Sequence, residues 1–98
     1  MNVISKRGLL KLTAECEGSQ KDAFNWYRIA ASADWACFND VVNAIPNADF
    51  VEGKLVFNIR HNRYRLIVFP VFSRRTLYIK ALMTHKEYER KEWVKQWP

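Results

Sequence analysis

The chain contains 98 residues, of which 49% are hydrophobic and 27% charged, so it is too apolar for a disordered protein and suits one small domain. Its two cysteines are too few for a disulfide scaffold. The longest uncharged apolar run, Leu66 to Phe72, is far shorter than the roughly 20 residues of a transmembrane helix. Since the first ten residues also lack a signal-peptide pattern, we expect a single domain over residues 1–98 that is cytoplasmic and does not use a membrane.

The positive charge is concentrated in one half of the chain. The formal net charge is +6, but residues 1–49 contain five Lys and Arg against six Asp and Glu, whereas residues 50–98 contain eleven against four. A basic half of this kind indicates a polyanionic partner such as a nucleic acid. The alternative is a solvated surface that keeps copies of the protein apart.

Apolar residues recur at helical spacing through the first half, after a short strand at Val3 and Ile4. Ser19 followed by Asp22 resembles a capping box, and Asp34 is expected to cap the third helix. The predicted helices run from Ser5 to Gly18, from Ser19 to about Ala33, and from Asp34 to Pro46.

The second half is rich in Val, Ile, Phe and Tyr, which favour strands. The segments between these runs are short enough for hairpin turns, and Pro70 is expected to mark a strand end, an edge or a bulge. The predicted strands are Ala48 to Val51, Leu55 to Ile59, Tyr64 to Phe69 and Leu77 to Met83.

A short last helix is predicted over about 86–91, with Thr84 as its cap. Trp93 and Trp97 then fold back on the sheet or dock elsewhere. Together the elements predict an α+β fold in which N-terminal helices pack on a curved, mostly antiparallel sheet, followed by a short C-terminal helix.

Basic side chains interrupt two of the predicted strands. Arg65 lies near the start of one strand, and Lys80 lies in the next. If both face the same way, they form a basic patch that either faces solvent or binds an anion, because burying an unpaired cation is costly. The alternative is pairing of these cations with Glu87, Glu89 or Glu92.

Most catalytic motifs are absent from the sequence. Three glycines cannot build a phosphate-binding loop, and His61 and His85 lack a third metal ligand, so we expect no metal and no cofactor. General acid–base chemistry by His, Lys, Arg and Tyr remains. It suits metal-independent RNA cleavage, in which the 2′-hydroxyl attacks its own phosphate, a base takes its proton and an acid protonates the leaving oxygen.

Two motifs carry a resemblance to a known family. They are Asn58-Ile59-x-x-Asn62-x-Tyr64-Arg65-Leu66-Ile67 and Tyr78-Ile79 followed by Thr84-His85-x-Glu87-Tyr88. With this spacing the chain resembles the HigB family of the RelE-like superfamily. The resemblance implies a toxin of a type II toxin–antitoxin system, an mRNA interferase that cleaves mRNA on translating ribosomes and so inhibits translation. It also implies a cognate helix-turn-helix antitoxin, HigA-like, that holds the toxin inactive and represses the operon.

The resemblance also assigns roles to side chains. Arg65 would clamp the scissile phosphate, His85 would act as acid or base, and Lys80 would add positive potential as a third catalytic residue. Tyr88 would stack on a base or donate a hydrogen bond, or else simply pack its helix. The expected RNA-binding residues are His61, Asn62, Arg63, Arg74, Arg75 and Tyr88.

One departure from the family concerns a turn. Many relatives have a glycine pair where this chain has Arg60 and His61. The turn is therefore expected to place a positive φ on His61 or on Asn62, which accepts it more easily, or to take another form.

Two other functions remain open at this stage. One is a non-catalytic nucleic-acid-binding module on the same basic sheet, for which His85 is the discriminating residue because binding needs only Lys and Arg. The other is a basic patch that mainly docks an acidic antitoxin segment.

Overall fold

The computed structural model describes residues 1–95 and has the predicted α+β fold. Two short 3-10 helices, Phe72–Arg74 and Glu92–Lys95, accompany the regular elements. Trp97 lies outside the described residues. The regular elements are β1 (Asn2–Ile4), α1 (Lys6–Ala14), α2 (Gln20–Ser32), α3 (Phe38–Ala44), β2 (Asp49–Val51), β3 (Lys54–Ile59), β4 (Tyr64–Val71), β5 (Thr76–Thr84) and α4 (His85–Arg90).

The five strands form one sheet in the order β1-β5-β4-β3-β2. Strands β2 to β5 are an antiparallel meander, and β1 pairs with β5 in parallel at the edge, so the predicted mostly antiparallel sheet is confirmed. The pairing of β3 with β4 stops at the pair Leu55 and Val68. Pro70 lies beyond that point, where β4 has no β3 neighbour, as expected for a residue without a backbone N–H.

Helices cover both faces of the sheet. The larger core lies between α1–α3 and the sheet and includes Leu9, Trp26 and Leu66, all buried. The opposite face is covered by α4 and the second 3-10 helix, where Trp93 packs on Val56 and is only 2% exposed. Trp93 therefore folds back on the sheet, and this fixes α4 against the face that carries the basic residues.

The predicted capping box at the start of α2 is wrong. Ser19 donates its side-chain hydrogen bond to the Cys16 carbonyl at 2.6 Å and makes no cap bond to the helix. The Asp22 carboxylate instead accepts the backbone N–H of Arg60 at 2.7 Å. A tertiary contact to the β3–β4 turn has replaced the local one.

No helix among the described residues is both long and apolar enough to cross a bilayer.

Candidate active site

The site lies where the beginning of β4 meets the end of β5. Tyr64 is paired with Thr84, and the backbone N–H of His85 donates to the Arg63 carbonyl at 3.0 Å. Because β4 and β5 are antiparallel neighbours, Arg65 and the first turn of α4 are brought to the same end of the sheet. The two motifs of the sequence therefore become one surface.

A capping box fixes the first turn of α4. The Thr84 hydroxyl accepts the backbone N–H of Glu87 at 3.1 Å, and the Glu87 carboxylate accepts the backbone N–H of Thr84 at 3.0 Å. The Thr84 backbone N–H and hydroxyl both donate to the Glu87 carboxylate, and these two hydrogen bonds lower the pKa of the Glu87 carboxyl. The expected cap at Thr84 is confirmed, and it sets the direction in which His85 leaves the strand.

Arg65, His85 and Glu89 form a continuous chain of polar contacts. Arg65 Nη2 lies 2.9 Å from His85 Nδ1, and His85 Nε2 lies 3.2 Å from Glu89 Oε1. A guanidinium can only donate hydrogen bonds, so Nδ1 is the acceptor in the first contact. The proton of the neutral imidazole then sits on Nε2, the nitrogen that lies 3.2 Å from Glu89 Oε1.

The guanidinium of Arg65 is held by three elements. Its Nη1 donates to the Asn62 carbonyl at 2.8 Å and to the Tyr64 carbonyl at 3.2 Å, and its carbon lies 5.6 Å from the centre of the Tyr88 ring. Together with the His85 contact, this clamps the β3–β4 turn, β4 and α4 around one cation. These contacts of Arg65 therefore do not include the carboxylates of Glu87, Glu89 or Glu92, which were the alternative partners predicted from the sequence.

Tyr88 forms the aromatic wall of the site. It stacks on Trp93 with ring centres 5.2 Å apart, and Lys91 Nζ lies 5.5 Å from its centre, so the ring interacts with two cations. Burial raises the pKa of the Tyr88 hydroxyl, and the Asp49 charge adds to this. The phenol thus stays protonated and can donate a hydrogen bond.

The β3–β4 turn takes the expected positive φ at His61 (59°), but its second such residue is Arg60 (52°) and not Asn62. The preference for Asn62 was wrong because tertiary contacts hold Arg60: its amide reaches Asp22, and its guanidinium donates to the Glu17 carbonyl at 2.9 Å. His61 is left exposed at the tip of the turn.

Two further RNA-binding candidates lie in the same turn. The Asn62 amide oxygen accepts a hydrogen bond from Asn58 Nδ2 at 3.3 Å, while its backbone carbonyl holds Arg65. The side chain of Arg63 is exposed next to them. The turn therefore places Asn62 and Arg63 beside the Arg65–His85 contact.

Lys80 reaches this face of the sheet through a β-bulge. Ile67 pairs with Ala81 but Val68 pairs with Ile79, so Lys80 is the extra residue in β5. Strict alternation would have placed it in the core with Leu82, whereas a bulge can redirect a side chain.

The ammonium of Lys80 lies 5.9 Å from the centre of the Tyr78 ring. Tyr78 faces Phe69, which shares the Arg65 side of β4. Lys80 thus lies on the Arg65 side of the sheet, near Phe69, and does not itself join the chain of polar contacts described above.

The structure does not bring Arg74 and Arg75 to this site. They follow β4, at the end opposite to Arg65, and eight strand residues place them about 20 Å away. Arg75 forms an ion pair with Asp34 at 2.6 Å. Asp34 consequently does not cap α3, which begins at Phe38, so that prediction was wrong.

Two site residues were missed by sequence reasoning. Glu89 contacts His85, and Lys91 lies over the Tyr88 ring. The four-residue spacing of His85 and Glu89 on a predicted helix was a usable signal. No sequence pattern pointed to Lys91, which has a left-handed backbone conformation at the end of α4.

Within residues 1–95, no three His, Cys, Asp or Glu side chains are grouped as metal ligands would be.

The arrangement combines a fixed cation, an imidazole and an aromatic ring on one exposed surface. The His85 side chain is 52% exposed, and Arg65 is half-buried. A guanidinium of this kind can bind a phosphate through two parallel hydrogen bonds, and the imidazole beside it can exchange a proton. The surface is therefore equipped for phosphate binding and acid–base chemistry.

Comparison with known proteins gives one matching family and several relatives. The family described as "HigB_toxin, RelE-like toxic component of a toxin-antitoxin system" matches residues 19–91. A protein of Escherichia coli K12 called "mRNA interferase toxin HigB" is 33% identical over 49 residues, which are 50% of this chain and 47% of the relative. Proteins called "mRNA interferase HigB" in Escherichia coli O157:H7 and Shigella flexneri match to the same extent. The chain thus spans about half the length of the curated relatives that it matches.

Proposed function

The chain belongs to the HigB family of RelE-like toxic components of toxin–antitoxin systems, and we propose that it is a toxin that cleaves mRNA without a metal ion, acting on translating ribosomes. The names of the relatives, mRNA interferases, support the activity at family level. The proposal treats residues 1–98 as one toxin domain that acts in the cytoplasm.

The observation that carries the proposal is the contact of Arg65 with His85 at 2.9 Å. In the proposed reaction the guanidinium binds the scissile phosphate and stabilises the negative charge that develops on its oxygens. His85 exchanges a proton with the ribose or with the leaving oxygen. The Tyr88 ring offers a surface on which a neighbouring base stacks.

Charge on the rest of the surface supports an RNA substrate. Residues 50–98 contain eleven Lys and Arg against four Asp and Glu. The Arg63 carbonyl accepts the backbone N–H of His85, Lys91 lies over the Tyr88 ring, and Lys80 lies farther along the same side of the sheet. We assign binding of the RNA backbone to Arg63, Asn62 and His61, with Lys80 raising the positive potential. We assign Arg74 and Arg75 to RNA contacts outside the immediate site.

The family also supports an antitoxin partner. We propose a HigA-like helix-turn-helix antitoxin that inhibits this chain by binding to it. An acidic segment of that partner would compete with RNA for the same cationic surface.

The test is expression of His85→Ala without antitoxin, with mRNA ends mapped by primer extension and folding checked by circular dichroism. We expect a folded protein that neither arrests growth nor cleaves mRNA, since a positioned acid or base is worth about 10²–10⁴ in rate. If folded His85→Ala is as toxic as the wild type, the catalytic assignment is wrong. If the wild type binds RNA and produces no new ends, the chain is a non-catalytic binding module.

A further inference from the structure

We infer that Glu89 is a positioning residue that prepares His85 to act as the general base through its Nδ1 atom. The inference rests on the proposed function and adds a role for each ring nitrogen. Its basis is the pair of contacts on the imidazole, Arg65 Nη2 to Nδ1 at 2.9 Å and Nε2 to Glu89 Oε1 at 3.2 Å.

The two contacts determine which nitrogen can accept a proton. Arg65 can only donate and a carboxylate can only accept, so the neutral ring carries its hydrogen on Nε2 and its lone pair on Nδ1. Glu89 thereby holds the tautomer whose lone pair faces the phosphate-binding cation. A carboxylate that orients a histidine in this way also stabilises the imidazolium that forms when the ring takes a proton.

The position of Glu89 is set by α4 itself. His85 and Glu89 are four residues apart, so they lie on the same side of the helix, and the Thr84–Glu87 capping box fixes the first turn. The charged groups that face the ring are Arg65 from β4 and Glu89 from α4.

Substrate binding would free the lone pair. When an RNA phosphate takes the Arg65 guanidinium, the hydrogen bond to Nδ1 is released, and Nδ1 can accept the proton of the 2′-hydroxyl. The O2′–P bond then forms while the P–O5′ bond breaks, and the leaving 5′-oxygen takes a proton from solvent. The products are a 2′,3′-cyclic phosphate and a free 5′-hydroxyl, and His85 returns its proton to solvent.

The kinetic test compares Glu89→Gln with Glu92→Gln, which removes the same charge from the neighbouring 3-10 helix. Rates are measured at saturating protein on ribosomes programmed with one mRNA, across pH 5 to 9. The pair is exposed (His85 52%, Glu89 61%), so we expect the maximal rate of Glu89→Gln to fall about fivefold. The pH profile of Glu89→Gln should differ from that of Glu92→Gln, since only Glu89 of the two contacts the imidazole. Glu89→Asp, which keeps the charge, should recover part of the rate.

A second measurement does not depend on activity. The chain has two histidines, so long-range proton–nitrogen NMR of the rings can be assigned from the His85→Ala spectrum. At a pH where the ring is neutral, we expect Nε2 of His85 to be protonated and Nδ1 to be free. A proton on Nδ1 would overturn the inference.

The outcomes separate the two hypotheses. If the wild type cleaves no mRNA, or His85→Ala keeps its rate, the proposed function fails and the inference with it. If the wild type cleaves, His85→Ala is inactive and Glu89→Gln matches Glu92→Gln in rate and pH profile, only the inference fails.

Discussion

Replacement of Arg65 separates the catalytic role of this side chain from its structural one. Arg65→Ala removes hydrogen bonds to the Asn62 and Tyr64 carbonyls and to His85, and the cation over the Tyr88 ring. These contacts are near the surface, so their net loss is about 2 kcal/mol. In a domain of this size, that lowers the melting temperature by roughly 10 °C.

The activity should fall much further than stability can explain. A domain with at least about 5 kcal/mol of stability retains about 3 kcal/mol after the change, so roughly 99% of the molecules stay folded. Loss of a preorganised donor to developing negative charge costs about 10²–10³ in rate. Arg65→Lys should recover little of the rate. The planar guanidinium can contact the Asn62 carbonyl and the phosphate at the same time, and a single ammonium group cannot.

The assay is single-turnover cleavage of ribosome-bound mRNA at 25 °C, together with thermal melts followed by circular dichroism. Arg28→Ala is the matched control, because it removes the same charge from the exposed side of α2, on the other face of the sheet. It should cleave at the wild-type rate. A folded Arg65→Ala protein that cleaves within about threefold of the wild type would refute the transition-state role.

Two further predictions concern acid sensitivity and salt. Hydrogen bonds from Thr84 lower the pKa of Glu87 in the folded chain, so the carboxylate stabilises α4 at neutral pH, and this contribution is lost as the pH falls below about 4. Thr84→Ala should lower the free energy of unfolding by about 1 kcal/mol at pH 7 and by less at pH 3. Thermal melts that show the same loss of stability relative to the wild type at both pH values would contradict this. RNA binding should weaken steeply between ~50 and ~200 mM salt, and Arg63→Ala should lower the slope by about one without abolishing cleavage at saturating RNA. An affinity that is flat across this range would show that the basic half does not bind the phosphates.

The proximity of Arg65 and His85 in the candidate site could be predicted because the two motifs fall at adjacent strand ends. Arg65 near the start of β4 and His85 after β5 must meet once those strands pair as an antiparallel hairpin. The strand positions followed from alternation and turn residues, and the cap at Thr84 from a local pattern. All of these depend on residues that are close in sequence or joined by one short connection.

The remaining features depend on contacts between distant parts of the chain. Arg75 is paired with Asp34, which no local pattern indicates. The orientation of Lys80 depends on a one-residue bulge, and alternation alone assigns it to the opposite face. The positive φ of Arg60 is held by Asp22 from α2, against a propensity that favours Asn62.

The parallel pairing of β1 with β5 affects folding during synthesis. Asn2–Ile4 emerges from the ribosome well before its partner Thr76–Tyr78, because Asn2 and Thr76 are 74 residues apart. Until then β1 has no sheet to join, and the core faces of α1 and α2 remain open to solvent. The proposed site also needs α4, which follows β5, so a nascent chain that ends before α4 has no complete site. A nascent chain that has not yet exposed α4 therefore lacks the Arg65–His85 contact on which the proposed activity depends.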